Sequence, residues 1–327
     1  MKRSEQQTRR DFLRDSITAA ATVGVIRTAV GAESRAPASK KAWAITCRDV
    51  HLREVGEPDS WSAMKAVGVD GVEVLVEMDG TCAHLFAPDR KFSIGTDDGI
   101  KALGDEFRRH GKKITAFCLM NQFDVRPARE LEWVTKTAQA AATLGVPAIR
   151  LDVVPRTMTN RDEFLAFAID TGRKLVEATK GLPVRFGVEN HGGVTNRPEF
   201  TRKLFDGVGS KRFGLTLDTG NFYWFGHPLS KLYAIYEEFA PWVCHTHCKS
   251  IHYPEADRER QREMGWEYGK YHCPVYEGDI DFDKVAAILR RADYSNDLCI
   301  EDESLGKFPK EKRAEILKKE AAFLRNL

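Results

Sequence analysis

Eight short apolar runs, each followed by a helix-like stretch, constrain this 327-residue chain more than any other feature. The runs are Trp43–Cys47, Val72–Val76, Ile114–Leu119, Ile149–Val154, Val184–Val188, Gly214–Leu217, Trp242–Cys244 and Leu298–Ile300. They are rich in Val, Ile and Leu with little polar alternation, as strands covered on both faces should be. Between them lie amphipathic stretches. In "ELEWVTKTAQAAATLG", Leu131, Val134, Ala138 and Ala141 share one helical stripe, and Gly145 is placed to end the helix. "NRDEFLAFAIDTGRKLVEATKG" opens on Asn160, a suitable N-cap, and closes at Gly181. This alternation implies an α/β fold, a (β/α)8 TIM barrel in a single domain. No G-x-G-x-x-G follows the first run, which counts against a dinucleotide-binding sheet. One long loop, residues 250–280, follows the seventh strand. Its Trp266, Tyr268, Tyr271 and Tyr276 imply a lid or rim rather than a linker.

The N-terminus stands apart from this pattern. "TRRDFLRDSITAAATVGVIRTAVGA" places Arg9 and Arg10 ahead of Phe12, Leu13 and Arg14, then runs through small and apolar residues to Ala32. It resembles a twin-arginine export signal, with Arg14 where lysine usually stands and Arg27 inside the apolar run. The resemblance implies a signal peptide over residues 1–32, or up to 38, with the barrel over 40–327 and a periplasmic or exported location. Residues 1–32 hold six of the 50 Lys/Arg and three of the 48 Asp/Glu, leaving 44 basic and 45 acidic residues. A chain this close to neutral has no electrostatic footprint for nucleic acid or an anionic membrane. The seven cysteines form no CxxC pair, and Cys47, Cys118 and Cys299 lie in apolar runs where a buried thiol is expected. A chain without a disulfide framework fits twin-arginine export, which carries proteins already folded.

In barrels of this kind the active site lies at the C-terminal ends of the strands. The fifth run ends in Glu189, the sixth in Asp218, the seventh in His247 and the eighth in Glu301. The spacings are 29, 29 and 54 residues: two single βα units, then one unit lengthened by the long loop. Three carboxylates and an imidazole from adjacent strands make an oxygen-rich site for one divalent ion. Mn²⁺ is the leading expectation, and Mg²⁺, Co²⁺ and Zn²⁺ are compatible. Two alternatives stay open on strand parity alone, because His245 matches His247 and Glu303 matches Glu301.

The motifs "GVENHGG", "LDTGNF", "HTHCKS" and "VYEGDIDFDKVAAILRRADYSNDLCIEDES" resemble those of the xylose-isomerase-like TIM barrels, over roughly residues 40–327. That superfamily includes sugar isomerases, ketose 3-epimerases and inosose dehydratases. The resemblance favours His247 and Glu301 as ligands and places Lys249, of an H-x-K motif, toward the substrate. Many members carry D-x-x-H after strand six, whereas this chain has Asp218-Thr-Gly-Asn221. Strand two offers Glu73 and Glu77, and strand three ends in Asn121, so the extra histidines of the family's trinuclear zinc endonucleases are missing.

The resemblance implies a divalent-metal-dependent sugar isomerase or epimerase that abstracts a proton beside a carbonyl through an enediolate. Glu189 and Glu301 would be acid and base. Lys249, Asn221, His191, Arg150 and Trp266 are the expected substrate contacts, with Asn190 and His191 also suited to orienting Glu189. The same site would serve a dehydratase or a 3-keto-glycoside lyase. A reading of another class is a periplasmic sugar-binding barrel without turnover. The expected partner is a small carbohydrate, with homo-oligomerisation open.

Overall fold

The computed structural model describes residues 42–327, so the expected export signal lies outside the described residues. Eight parallel strands alternate with helices: β1 Ala44–Arg48, β2 Gly71–Leu75, β3 Lys113–Leu119, β4 Ala148–Leu151, β5 Arg185–Glu189, β6 Phe213–Asp218, β7 Val243–His247 and β8 Asp297–Ile300. The sheet order is β8-β1-β2-β3-β4-β5-β6-β7, and a parallel bridge from Cys248 to Ile300 draws its two edges together. This is the expected single-domain (β/α)8 barrel. Every expected run falls on a strand, although β4 stops at Leu151, short of Val154, and β7 continues to His247.

The helices obey their local signals. Asn160 accepts hydrogen bonds from the backbone N–H groups of Asp162 and Glu163 and so caps the helix Arg161–Ala178. Gly145, at φ 71°, closes the helix Pro127–Leu144, whose Val134, Ala138 and Ala141 are buried against the barrel. Leu131, on the same stripe, is only partly buried.

Two strand irregularities bear on the site. The β2–β3 register passes from Val72↔Ile114 to Glu73↔Ala116, leaving Thr115 as an extra residue. The β6–β7 register passes from Leu215↔Val243 to Thr216↔His245, leaving Cys244 extra. Such bulges re-aim the side chains that follow.

The loop expected to be a lid or rim is a bolted rim. Its strands Ser250–Ile251 and His272–Cys273 pair antiparallel. Buried Arg262 donates to the carbonyls of Asp257, Arg258, Arg260, Tyr223 and His227. Its guanidinium lies 4.5 Å from the Tyr223 ring centre and 4.3 Å from that of Tyr253. Gly278, in "VYEGDIDF", has no room for a side chain, since a Cβ there would lie 1.9 Å from Ser250 Oγ. All seven cysteines are free, and six of them are buried. No helix among the described residues is long and apolar enough to cross a membrane.

Candidate metal centre and cavity

Glu189, Asp218 and His247 are the last residues of β5, β6 and β7, and Glu301 directly follows β8. The β6–β7 register sets Asp218 beside His247, while Glu189 stands beside Thr216 and reaches the centre with its longer side chain. One ligand atom from each of the four lies within 4.8 Å of all the others, and all four residues are buried. His247 Nδ1 is 3.5 Å from Glu189 Oε1 and 3.4 Å from Glu301 Oε2.

Three of these inward-facing atoms, Asp218 Oδ2, His247 Nδ1 and Glu301 Oε2, have no hydrogen-bond partner. Lys249 Nζ comes within 2.9 Å of Asp218 Oδ2 and 3.1 Å of Glu301 Oε2, but not in line for a hydrogen bond. Buried polar atoms are rarely left unpaired. Three that converge on one point, from carboxylates and an imidazole, fit a divalent cation in both geometry and chemistry.

The remaining atoms of these side chains are tied down. Asp218 Oδ1 accepts from the backbone N–H groups of Gly220 (2.8 Å) and Asn221 (2.7 Å). Glu189 is gripped on Oε2 by Arg150 Nε at 2.5 Å and on Oε1 by Asn221 Nδ2 at 3.0 Å. Arg48 Nη1 holds Glu301 Oε1 at 2.5 Å. Both glutamates are therefore held by an arginine, Glu189 by one from β4 and Glu301 by one from β1.

Burial disfavours charge on Glu189, yet Arg150 and His247 outweigh it and hold the carboxyl well below its usual range. Glu301 is likewise held low against burial, by Lys249, His247 and Arg48. Asp218 is pushed up by burial, with Glu301 and Glu189 adding to the effect against Lys249. Burial opposes a charged His247, but Glu73, Glu301 and Glu189 raise it to about 10. The two glutamates thus sit among compensating cations, while His247 answers to the carboxylates around it.

A cavity of about 280 Å³ opens above the centre. Glu189, Glu301, Lys249, Asn221, His191 and Arg150 all line it, so the structure brings these expected residues together. Their contacts differ in detail from expectation. Asn221 and Arg150 both grip Glu189, and His191 Nδ1 lies 2.9 Å from Asp152 Oδ1. Asn190, expected beside Glu189, instead bonds the backbone N–H and carbonyl of Asp218, because its strand-end position faces β6.

Trp266 does not line the cavity. It stacks on Tyr271 within the rim, with Arg260 over its ring, and Trp224 and Tyr268 form the aromatic wall instead. His245 faces inward as its parity allows, but its two nitrogens are taken by Asp297 (3.0 Å) and Glu73 (2.7 Å). Glu303 bonds the Tyr268 hydroxyl and lies 3.5 Å from Lys249. Sequence reasoning passed over Arg48, although it ends the first strand just as Glu189 ends the fifth. It also passed over Trp224, which follows Asn221 on the same helical turn.

Solved structures share this architecture. The IOLI protein with a bound zinc atom aligns at TM-score 0.65 and 16% identity, covering 86% of this chain and 98% of that one. A D-tagatose 3-epimerase-like protein aligns at 0.59 and 18%, covering 86% and 98%. The 3-keto-D-glucoside 4-epimerase from E. coli aligns at 0.60 and 14%, covering 88% and 100%. At these identities the likeness is one of fold. No curated protein matches the chain. The sequence profile of one family matches residues 61–327, most of the barrel, and the chain belongs to that family, the xylose isomerase-like TIM barrels.

Proposed function

We propose that this chain is a divalent-metal-dependent enzyme that moves a proton at a carbon beside a carbonyl in a free sugar or glycoside, giving isomerisation or epimerisation. One observation carries the reading: four ligand-type side chains converge at the strand ends under a cavity, and three of their inward atoms have no partner. Glu189, Asp218, His247 and Glu301 would hold the ion, for which Mn²⁺ is our choice on the oxygen-rich donor set. Once bound, such an ion polarises the carbonyl and offsets the charge of the carboxylates. The epimerases among the structures of like fold support a sugar as substrate.

Glu189 and Glu301 face the cavity from β5 and from the end of β8. One of these carboxylates takes the proton as the C–H bond breaks, and the electron pair moves onto the carbonyl oxygen. Lys249 Nζ donates a hydrogen bond to that oxygen. The other carboxyl group, which has taken a proton from solvent beforehand, delivers it to the opposite face of the carbon. Arg150 and Arg48 each grip one oxygen of these two side chains and fix their orientation. Trp224 and Tyr268 line the cavity, and the apolar surface of their rings would strengthen charge interactions beside them.

Deuterium uptake from solvent into free hexoses, inososes and 3-keto-glycosides tests this directly. Mn²⁺-loaded wild type labels one carbon, and Glu189→Gln loses 10²- to 10⁴-fold of that rate. The labelled carbon separates isomerisation, epimerisation and elimination. A metal-loaded protein that labels none of them sinks the proton-transfer reading and favours a binding protein.

Export is part of the same proposal, supported by the Arg9-Arg10 motif and by seven free cysteines. Replacing Arg9 and Arg10 together by lysine leaves an unprocessed precursor in the cytoplasmic fraction. Normal processing of that variant would overturn the export reading.

A further inference from the structure

Barrels of this type fill their interior with layers of branched apolar side chains. Beneath this metal centre the interior is polar instead, and one hydrogen-bonded line runs down it. Asp297, the first residue of β8, is fully buried. Its carboxylate accepts from Thr46 Oγ1 (3.0 Å), Thr115 Oγ1 (2.5 Å), the Tyr294 hydroxyl (2.9 Å) and His245 Nδ1 (3.0 Å). On its other side His245 Nε2 is 2.7 Å from Glu73 Oε2, and that same oxygen is 2.6 Å from His247 Nε2. Glu73 Oε1 accepts from Arg48 Nε at 2.9 Å. His247 thus enters the metal centre with Nδ1 as its one unpartnered nitrogen.

We propose that Glu73, braced by the His245–Asp297 pair and by Arg48, is the positioning residue that fixes His247 as its Nε2–H tautomer and aims Nδ1 at the divalent ion. The inference rests on the metal-binding reading above and adds to it what holds the imidazole.

An ionised carboxylate only accepts, so a histidine facing one must carry its proton on the nitrogen that faces it. Once Nδ1 has given up its proton, the lone pair is therefore on that atom, which meets Glu189 and Glu301. His245 lies between two carboxylates and donates to both, so it is the cation that lets Glu73 and Asp297 stay charged together. Buried ion pairs seldom add stability over apolar packing, and an apolar layer would fill this space at less cost. What an apolar layer cannot do is choose a tautomer. The strand irregularities serve the same line, since Thr115, the extra residue of β3, reaches Asp297, and Cys244, the extra residue of β7, immediately precedes His245. Arg48 bridges Glu73 and Glu301, so the frame that holds one ligand also holds another.

The test uses the full chain with Zn²⁺ as a diamagnetic probe. Glu73 accepts from three donors, but the amide of Glu73→Gln has one acceptor oxygen, so any orientation sets an NH₂ against a histidine N–H or Arg48. Equilibrium dialysis of the folded variant is expected to show Zn²⁺ affinity about 10- to 100-fold weaker than wild type. Independently, ¹⁵N-histidine NMR of Zn²⁺-loaded wild type is expected to show His247 protonated at Nε2 and coordinated through Nδ1. The spectrum needs no variant, so it decides the matter if Glu73→Gln does not fold. Unchanged affinity in a folded Glu73→Gln, or coordination through Nε2, overturns this inference alone. A wild type that binds no Zn²⁺ overturns the metal centre and this inference with it.

Discussion

At His247, three carboxylates act on one ring: Glu73 at Nε2, with Glu189 and Glu301 near Nδ1. Their charges outweigh burial and keep the metal-free imidazole protonated up to about 10. A divalent ion can take Nδ1 only once that proton leaves, so metal affinity should rise with pH across the neutral range. The expected gain is about tenfold per pH unit for each proton released. Calorimetry in buffers of different ionisation enthalpy would count those protons, and a flat affinity from pH 6 to 8 would contradict the charged imidazole.

Residue by residue, legibility followed position. Glu189, Asp218, His247 and Glu301 stood out because each breaks an apolar run at its end. Arg48 had the same placement, but a single arginine has many surface uses. Glu73 sits inside its strand, and its meaning depends on β7, 172 and 174 residues away in sequence at His245 and His247.

Among the elements, the loop after β7 contributes Tyr268 to the cavity wall. Arg262 gathers five carbonyls and stands between two tyrosine rings, so it sets the path that brings Tyr268 to the cavity. Arg262→Met would strand those carbonyls and lower stability by about 3 kcal/mol. Limited proteolysis should then cut within residues 250–280, and KM should rise more than kcat falls. A variant as resistant as wild type would show that the rim holds without its clamp. The sequence singled out Trp266, while the cavity uses Tyr268. Composition identified an aromatic rim, but which ring turns inward depends on the path of the loop backbone.

For the whole molecule, the unpaired centre closes one end of the barrel and should couple metal binding to global stability. An ion that binds only the folded state adds about 2.7 kcal/mol at 100 times its Kd. For a barrel of this size that is a rise in Tm of roughly 4 to 5 °C, reversed by chelation. Equal melting with Mn²⁺ and with chelator would argue that the four side chains do not form a site.

The sequence by itself determined the alternation of strands and helices, the eight-fold count, several caps and the four residues that end the last strands. All of these are local patterns, carried by periodicity within one element or by the residue at its boundary. Tertiary structure alone decided the closure of β8 onto β7, the two bulges, the inward turn of His245 and the partners of Glu73. Those depend on register between strands far apart in the chain, and a single extra residue such as Thr115 or Cys244 changes which side chains face the axis.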